Sequence, residues 1–224
     1  MKKKAPATLS EWADYMSELV HVGTAAAENL RDPGDPYARQ DLYRQLHKLI
    51  SEGFFALQYQ DPRYPEFWPI YGSQFSWGFP TPDDVYFHTV IDDTGIYRIT
   101  GFRGTTHLVD FEIGSGDFVP YAKGSFGLPL AHYDIDSDAH VAANGAVDIM
   151  LSAERPTGWS GDWWKLDRDA TYIHLRQRSY DWANEVDCRF SIDRLDVPAA
   201  KPRDSAERIA AGMVHLPQWT RAWE

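Results

Sequence analysis

The chain has 224 residues, of which 43% are hydrophobic and 25% are charged, and this composition is typical of a folded globular protein rather than a disordered or membrane-embedded one. A chain of this length can bury about 70% of the surface that its unfolded form exposes, so its folding requires neither a metal nor a disulfide. The formal net charge of −11 argues against a nucleic-acid partner, because phosphate backbones are bound through clustered Lys and Arg.

The N-terminal sequence and the cysteine content indicate a cytoplasmic protein without a membrane partner. Lysines occupy positions 2–4, but Glu11, Asp14 and Glu18 interrupt the apolar run that a signal peptide requires. The sequence contains no stretch near the roughly 20 apolar residues that cross a bilayer. The single cysteine, Cys188, excludes an intrachain disulfide, agrees with a reducing compartment and is predicted to be a buried strand residue.

Two amphipathic helices are predicted at the N-terminus. Residues 8–11 have the spacing of a capping box, and apolar residues then recur every three or four positions. Asp35 followed by Pro36 is typical of an N-cap with proline in the first turn of a second helix. A short helix capped by Asp204 is predicted near the C-terminus.

The central part of the chain is predicted to be a loop followed by strands. Five prolines and seven aromatic residues between residues 61 and 84 exclude a regular helix and favour an ordered loop. Alternating apolar residues then predict an antiparallel meander of three strands, at 85–91, 96–102 and 107–113. Further strands are predicted at 147–151, 172–180 and 189–195, while 115–145 is expected to be mostly irregular.

Helices that precede strands without βαβ alternation predict an α+β fold, with the N-terminal helices packed on an antiparallel β-sheet or sandwich. We expect a single domain over residues 1–224. Its predicted parts are a helical region at 8–60, an aromatic loop at 61–84, a β-rich region at 85–197 and a C-terminal helix at 204–216.

The sequence lacks the short motifs that bind common cofactors or metals, including the dinucleotide-binding glycine motif, the P-loop and His-Glu-x-x-His. Residues 134–138 resemble the opening of a calcium loop. However, Ala139 and Gly145 stand where that loop needs glycine and a bidentate glutamate. The sequence therefore predicts no bound cofactor and no metal site.

The strand predicted over 172–180 has the most informative pattern. Alternation places apolar residues on one face and five other side chains on the opposite face: Tyr172, His174, Arg176, Arg178 and Tyr180. An imidazole, two guanidiniums and two phenols are together suited to bind and polarise an anionic or phenolic ligand. The alternative interpretation is a solvated face whose arginines pair with the excess carboxylates.

A second candidate group lies on the first predicted strand, where Tyr86 and His88 share a face. These residues follow a loop that contains Trp77, Asp83 and Asp84. If the rings of this loop fold over that face, they exclude water and shift the pKa of His88 toward acid–base use. The alternative is a polar pair at the sheet surface.

The third predicted strand carries further titratable residues. His107 aligns with apolar positions and is expected to be a hydrogen-bonded core histidine. Asp110 and Glu112 point to the other face. They are predicted either to pair with Arg98 or Arg103 across the meander or to supply a carboxylate base to a pocket.

Two segments resemble an uncharacterised bacterial family catalogued as domain of unknown function twelve-fourteen. Pro82-Asp83-Asp84-Val85-Tyr86 and Tyr97-Arg98-Ile99-Thr100-Gly101 match its Pro-Asp-Asn-x-Tyr motif and its Tyr-Arg-Ile-x-Gly hairpin, except that Asp84 stands where asparagine is usual. Residues 176–182, followed by Glu185, resemble a later strand of the family. The resemblance implies no established activity. Typical members continue into a second β-rich half that this sequence lacks, so we expect an uncovered apolar surface or sheet edge and hence a homodimer or larger oligomer.

These residues favour the hypothesis of a cofactor-independent enzyme of lyase or isomerase type that acts on a small aromatic or apolar metabolite. In this scheme His88 or His174 moves the proton, a tyrosine such as Tyr86 bonds the ligand oxygen, and Arg176 or Arg178 holds the developing negative charge. The predicted substrate contacts are Trp77, Asp83, Asp84, Arg178 and Tyr180. The alternatives are a non-catalytic module whose tryptophans stack on a carbohydrate or hydrophobic ligand, and a subunit whose surface docks a partner.

Overall fold

The computed structural model describes residues 9–70, 81–117 and 127–221, which divide into two compact units. Of the described residues, 9–59 and 202–221 form a helical unit, and those between 60 and 201 form a β-rich unit. The α+β class is confirmed. The expectation of one domain over residues 1–224 stays a prediction.

The described elements were numbered in chain order. The helices are α1 (Leu9–Glu28), α2 (Pro36–Phe54), α3 (Ile135–Asp138) and α4 (Ala206–Arg221), and a π-helical turn, Phe55–Tyr59, follows α2. The strands are β1 (Trp68–Pro69), β2 (Asp84–Val90), β3 (Tyr97–Phe102), β4 (Leu108–Ser115), β5 (Leu128–Asp134), β6 (Ala146–Ser152), β7 (Asp162–Lys165), β8 (Ala170–Arg178) and β9 (Arg189–Arg194).

In the helical unit, α1, α2 and α4 contact one another. Asp35 caps α2 as predicted, since its Oδ1 accepts a hydrogen bond from the Tyr37 backbone N–H at 2.9 Å. Asp204 was predicted to cap the last helix, but Ser205 Oγ accepts the hydrogen bond from the Arg208 backbone N–H instead. None of the described helices is both long and apolar enough to cross a membrane.

The close approach of α2 and α4 depends on Gly53. A Cβ atom at this position would collide with Leu216 and would press against the ring of Trp219. Both of these side chains are buried. The apolar side chains of α4 therefore pack directly against the backbone of α2, which a larger residue at position 53 would prevent.

The β-rich unit contains two sheets. Among the described strands, the five-stranded sheet has the order β1-β2-β8-β4-β5 and the four-stranded sheet has the order β7-β6-β3-β9. All neighbouring strands are antiparallel except β6 and β7, which are parallel.

The predicted three-strand meander is wrong, because β3 lies in the four-stranded sheet and both β2 and β4 pair with β8. Short connections require consecutive strands to be close in space but do not require them to be hydrogen-bonded. Packed sheets lie only about 10 Å apart, a distance that a few extended residues span.

The hydrophobic core of this unit lies between the two sheets, which confirms a β-sandwich. Phe111 of β4 is fully buried. Its ring centroid lies 5.2 Å from those of Trp164 on β7 and Phe190 on β9, which are strands of the four-stranded sheet. Tyr133 of β5 stacks on Trp164 with ring centroids 4.4 Å apart. Aromatic contacts therefore join the five-stranded sheet to the four-stranded one.

The structure contains three strands that were not predicted from the sequence, namely β1 within the expected aromatic loop, β5 and β7. β5 lies inside the segment that was expected to be irregular. It is the last of the described strands in its sheet, and Leu128, Pro129 and Leu130 are all exposed, so it lacks the apolar alternation of a half-buried strand. Proline is compatible with this position because an edge strand has a backbone side that needs no ladder hydrogen bond.

We predict that Phe111→Ala lowers the free energy of unfolding by about 3–5 kcal/mol, because it removes a fully buried ring and leaves a cavity between the sheets. Urea titration followed by circular dichroism measures this change. The control is Leu195→Ala, whose side chain is 49% exposed and whose loss should cost less than about 0.5 kcal/mol. Equal effects of the two substitutions would contradict the assignment of the core.

Candidate functional site

The candidate site is the face of the five-stranded sheet that points away from the sandwich core. Strand β8 pairs with β2 on one side and with β4 on the other, and the register places His88 opposite His174 and Tyr86 opposite Arg176. We call this surface the polar face. Its residues are Trp68, Asp84, Tyr86, His88, Asp110, Glu112, His132, Tyr172, His174, Arg176 and Arg178.

The two histidines occupy the centre of a row that crosses the sheet. Each member is aligned with the next on the neighbouring strand, in the order Trp68, His88, His174, Glu112 and His132. The rings of His88 and His174 are nearly perpendicular, with centroids 5.3 Å apart. The two side chains are only 4% and 8% exposed, whereas His132 lies at the exposed end of the row. The structure thus brings together on one face two histidines that lie on strands far apart in the sequence.

Burial controls the protonation of both imidazoles. Loss of solvation lowers the pKa of His88 well below 6.5, and the neighbouring His174 lowers it further. Loss of solvation, with the nearby charge of Arg176, lowers the pKa of His174 to about 3. Both side chains are therefore neutral at neutral pH, and each ring has one donor and one acceptor nitrogen.

Arg176 forms an ion pair with Asp110 of β4. Its Nε and Nη2 atoms donate to Asp110 Oδ2 at 3.1 and 2.5 Å, and the Asp110 side chain is almost completely buried. His132 Nε2 lies 3.5 Å from the same carboxylate oxygen. On the other side, Arg176 also interacts with Tyr86, whose pKa is raised mainly by burial. The guanidinium thus lies between a carboxylate and a phenol.

Of the two alternatives for Asp110 and Glu112, the pairing with Arg98 or Arg103 is wrong. Arg98 binds Asp148 across β3 and β6, and Arg103 binds Asp136. The reason is the sheet assignment, since Arg98 lies on the four-stranded sheet and β4 lies on the other.

Asp84 and Arg178 bind each other. Arg178 Nε donates to Asp84 Oδ1 at 2.6 Å and Nη2 donates to Oδ2 at 2.7 Å. The Arg178 hydrogen bond is the main cause that lowers the pKa of Asp84, and the hydroxyls of Thr81 and Tyr86 add further hydrogen bonds. This two-point pair joins the start of β2 to the end of β8.

Tyr172 and Glu112 complete the polar face beside the histidines. Tyr172 Oη donates to Glu112 Oε1 at 3.3 Å, and its ring stacks on His88 with centroids 5.6 Å apart. The ring lies over Gly114, where any Cβ atom would collide with it. Burial, together with the charge of Glu112, raises the pKa of Tyr172. From the sequence, Glu112 was only one of two candidate carboxylates. The spacing of two residues between Asp110 and Glu112 was the signal that placed both on the same face of the strand.

Asp83 and Tyr180 lie at the margin of the polar face rather than within it, and Tyr180 interacts with Arg178 there. Tyr180 follows the end of β8, is 64% exposed and packs against His107 with ring centroids 4.5 Å apart. Asp83 is exposed in the turn before β2, where its carbonyl oxygen accepts the Ser179 backbone N–H. Trp77 lies outside the described residues. The expectation that His107 is a core residue is wrong, because β4 begins only at Leu108 and His107 is exposed.

The remaining candidate groups have structural surroundings. Cys188 is buried, and burial raises the pKa of its thiol to about 12, as expected for a residue that is not a nucleophile. The indole N–H groups of Trp159, Trp163 and Trp164 donate to Asp162 O, Ser152 Oγ and Asp138 O. In the described part of the chain, no three His, Cys, Asp or Glu side chains form a group that could hold a metal ion.

Comparisons with known proteins extend the description of the fold. No protein-family model and no curated protein matches the chain. Among solved structures, it is similar to an uncharacterised protein from Burkholderia cenocepacia at 25% identity and a TM-score of 0.80, over 94% of this chain and 56% of that one. A solved structure from Vibrio parahaemolyticus matches over 87% of this chain and 47% of that one at 14% identity, with a TM-score of 0.38. This chain therefore spans about half the length of the two proteins.

We predict that the protein loses stability as the pH falls below 6.5. The pKa values of His88 and His174 are lower in the folded state, so in this range the unfolded chain binds more protons. Each histidine then contributes up to about 1.4 kcal/mol of lost stability per pH unit, until the pH reaches the folded pKa.

Urea titrations between about pH 7 and pH 4.5 test this prediction, because the pKa of most carboxylates lies below that range. His88→Gln and His174→Gln should each reduce the slope of the unfolding free energy against pH. The matched control is His140→Gln, whose side chain is exposed and whose removal should leave the slope unchanged. An unchanged slope in all three variants would show that the buried histidines do not titrate as proposed.

Proposed function

We propose that this chain is an enzyme that moves a proton on a small ligand with an aromatic or apolar body, without a bound cofactor. The observation that supports this most is the juxtaposition of two buried, neutral imidazoles with an arginine and a half-buried carboxylate on one sheet face. Such a mixture of proton acceptor, hydrogen-bond donors and fixed positive charge is what proton transfer next to a carbonyl or phenol requires.

The lowered pKa values change the roles that the sequence suggested for the histidines. An imidazole with a pKa of about 3 is a weak base at neutral pH. As a neutral N–H donor, however, His174 is suited to polarise a ligand oxygen, because a buried hydrogen bond is strong and needs no reorganisation. We therefore assign His174, with His88 beside it, to bind the ligand oxygen rather than to take the proton.

Glu112 is the group to which we assign the proton acceptor. It is the strand neighbour of His174 and is half-buried, and its carboxylate accepts the Tyr172 hydroxyl. The proton passes from a ligand carbon to Glu112, and the electron pair of the broken C–H bond moves toward the ligand oxygen. Return of the proton to another carbon gives an isomerase, and loss of a leaving group gives a lyase.

Arg176 is assigned to hold the negative charge that develops on the ligand oxygen. It lies two residues after His174 on β8, so the two side chains share the polar face. Asp110 orients its guanidinium through two hydrogen bonds. Tyr86 lies on the other side of Arg176, and its hydroxyl donates to Asp84, so the phenol helps to fix the position of the guanidinium. Fixed donors of this kind stabilise the transition state more than the ground state.

The rings around the histidines support a ligand with an aromatic or apolar body. Trp68 contacts His88 edge to face at 5.8 Å, Tyr172 stacks on it, and Tyr86 lies 6.1 Å from His174. A carbohydrate-binding module receives less support, because the indole N–H groups of Trp159, Trp163 and Trp164 already donate within the protein.

We also propose that the chain is related to the family catalogued as domain of unknown function twelve-fourteen. Two of the segments that resemble this family are joined by the ion pair between Asp84 and Arg178. Cytoplasm is the compartment we propose, since the single cysteine, Cys188, is a buried thiol.

A second candidate function is self-association. Leu128 and Leu130 of β5 are 63% and 37% exposed, and β5 is the last of the described strands in its sheet. An edge strand with exposed apolar side chains is suited to pair with a second copy of the chain.

We predict that the protein catalyses exchange of carbon-bound hydrogen for deuterium in small aromatic ketones, aldehydes or phenols dissolved in D2O. Proton nuclear magnetic resonance measures this exchange without knowledge of the final product. Glu112→Gln should slow it by about 10²-fold or more, because the variant cannot accept the proton. His174→Gln should also slow it.

The matched control for this experiment is Glu154→Gln, because Glu154 is exposed and follows β6 of the four-stranded sheet. This variant should exchange at the wild-type rate. Wild-type rates in both Glu112→Gln and His174→Gln would rule out the assigned roles.

Light scattering at micromolar concentration is expected to give a dimer or larger oligomer. Leu128→Glu and Leu130→Glu together should shift the mass to that of the monomer, because charges on an edge strand oppose pairing. Val214→Glu, an exposed position on α4, should not. A monomeric wild-type protein would refute self-association.

A further inference from the structure

We infer that the polar face takes an uncharged ligand, whose oxygen belongs to a carbonyl or hydroxyl group rather than to a carboxylate or phosphate. The inference rests on the proposed function, since it names the class of substrate for that site. Arginines on a sheet face usually suggest an anionic ligand, and the sequence analysis included that possibility. The contacts of Arg176 and Arg178 indicate an uncharged ligand instead.

The first contact is the ion pair of Arg176. Two of its nitrogen atoms donate to Asp110, whose carboxylate is almost completely buried and lies on the adjacent strand. An anionic ligand that bound Arg176 through the same edge would displace this carboxylate. Asp110 would then be left as a buried charge without its counterion, which is strongly unfavourable.

The second contact is the ion pair of Arg178. Both oxygens of Asp84 are bound by Arg178, and the Asp84 side chain is only 1% exposed. The same carboxylate also accepts the hydroxyls of Thr81 and Tyr86. Arg178 is therefore held by a site built from the protein itself, in the two-point geometry that a ligand carboxylate would otherwise use.

The charges that remain near the histidines are unfavourable for an anion. Asp84 and Asp110 compensate the two arginines, and the row that contains His88 and His174 adds the carboxylate of Glu112. Both imidazoles are neutral, so neither offers a positive charge. A ligand carboxylate beside Glu112 would meet a like charge in a region of low solvent exposure.

The donors and acceptors of the face suit a neutral group instead. A neutral imidazole can donate one hydrogen bond and accept another, which matches a carbonyl or hydroxyl oxygen. A single guanidinium that is already paired still provides a favourable field for an oxygen that becomes negative only during the reaction. The guanidinium therefore stabilises the charged transition state more than the uncharged ground state.

The test compares fragments that share a shape but differ in charge. The probes are benzamide with benzoate and 4-hydroxyacetophenone with 4-hydroxybenzoate, and saturation-transfer nuclear magnetic resonance at about pH 7.5 measures their binding to the full chain. We expect each neutral member to bind at least about tenfold more tightly than its anionic partner. His174→Gln should weaken the neutral members.

A charge variant gives the second arm of the test. Asp110→Asn leaves Arg176 without its counterion, so the variant should gain benzoate affinity by about tenfold. The control is Asp148→Asn, which releases Arg98 from an ion pair on the other sheet and should leave the selectivity unchanged. If Asp110→Asn does not fold, the comparison of the probes on the wild-type protein decides the question alone.

The outcomes separate this inference from the proposed reaction. Anionic members that bind as tightly as neutral ones, or the absence of binding by all four probes, would overturn the inference. Selective binding of neutral members without hydrogen–deuterium exchange would support the ligand class and reject the reaction. Exchange confined to anionic compounds would support proton transfer and reject the ligand class.

Discussion

The polar face depends on one constraint, which is the register of β8 between β2 and β4. Because side chains alternate along a strand, a shift of β8 by one residue would turn His174 and Arg176 toward the sandwich core and Leu175 toward the opposite face. The hydrophobic contacts of Ile173 and Leu175 with the core oppose such a shift. The same apolar side chains that stabilise the sandwich therefore also align the histidines.

The ion pairs of the polar face reinforce this register from both sides of β8. Arg178 is bound by Asp84 on β2, and Arg176 is bound by Asp110 on β4. Buried ion pairs add little net stability, since the loss of hydration offsets most of the attraction, but a mispaired strand would leave these carboxylates buried without a counterion. The pairs thus contribute to the choice of one strand arrangement. They also leave the neutral imidazoles between two compensated charges, which is the electrostatic environment on which the proposed chemistry depends.

Several features of this site were predictable from local sequence. The alternation in β8 correctly placed Tyr172, His174, Arg176 and Arg178 on one face, and the alternation in β2 did the same for Tyr86 and His88. The start of α2 was also predictable, because Asp35-Pro36 is a local start signal. By contrast, β5 was missed because it is an exposed edge strand, and the partners of Asp110 were wrong because β3 belongs to the other sheet.

The sequence by itself determined which side chains share a strand face, since a period of two is a property of the backbone and needs no knowledge of neighbours. Only the tertiary structure decided which strands lie side by side, because pairing joins segments that are distant in the chain and depends on how two sheets pack. It also decided the protonation of His88 and His174. The residue type sets a pKa near 6.5, but burial removes the water that would stabilise the charged ring, and burial follows from the complete fold.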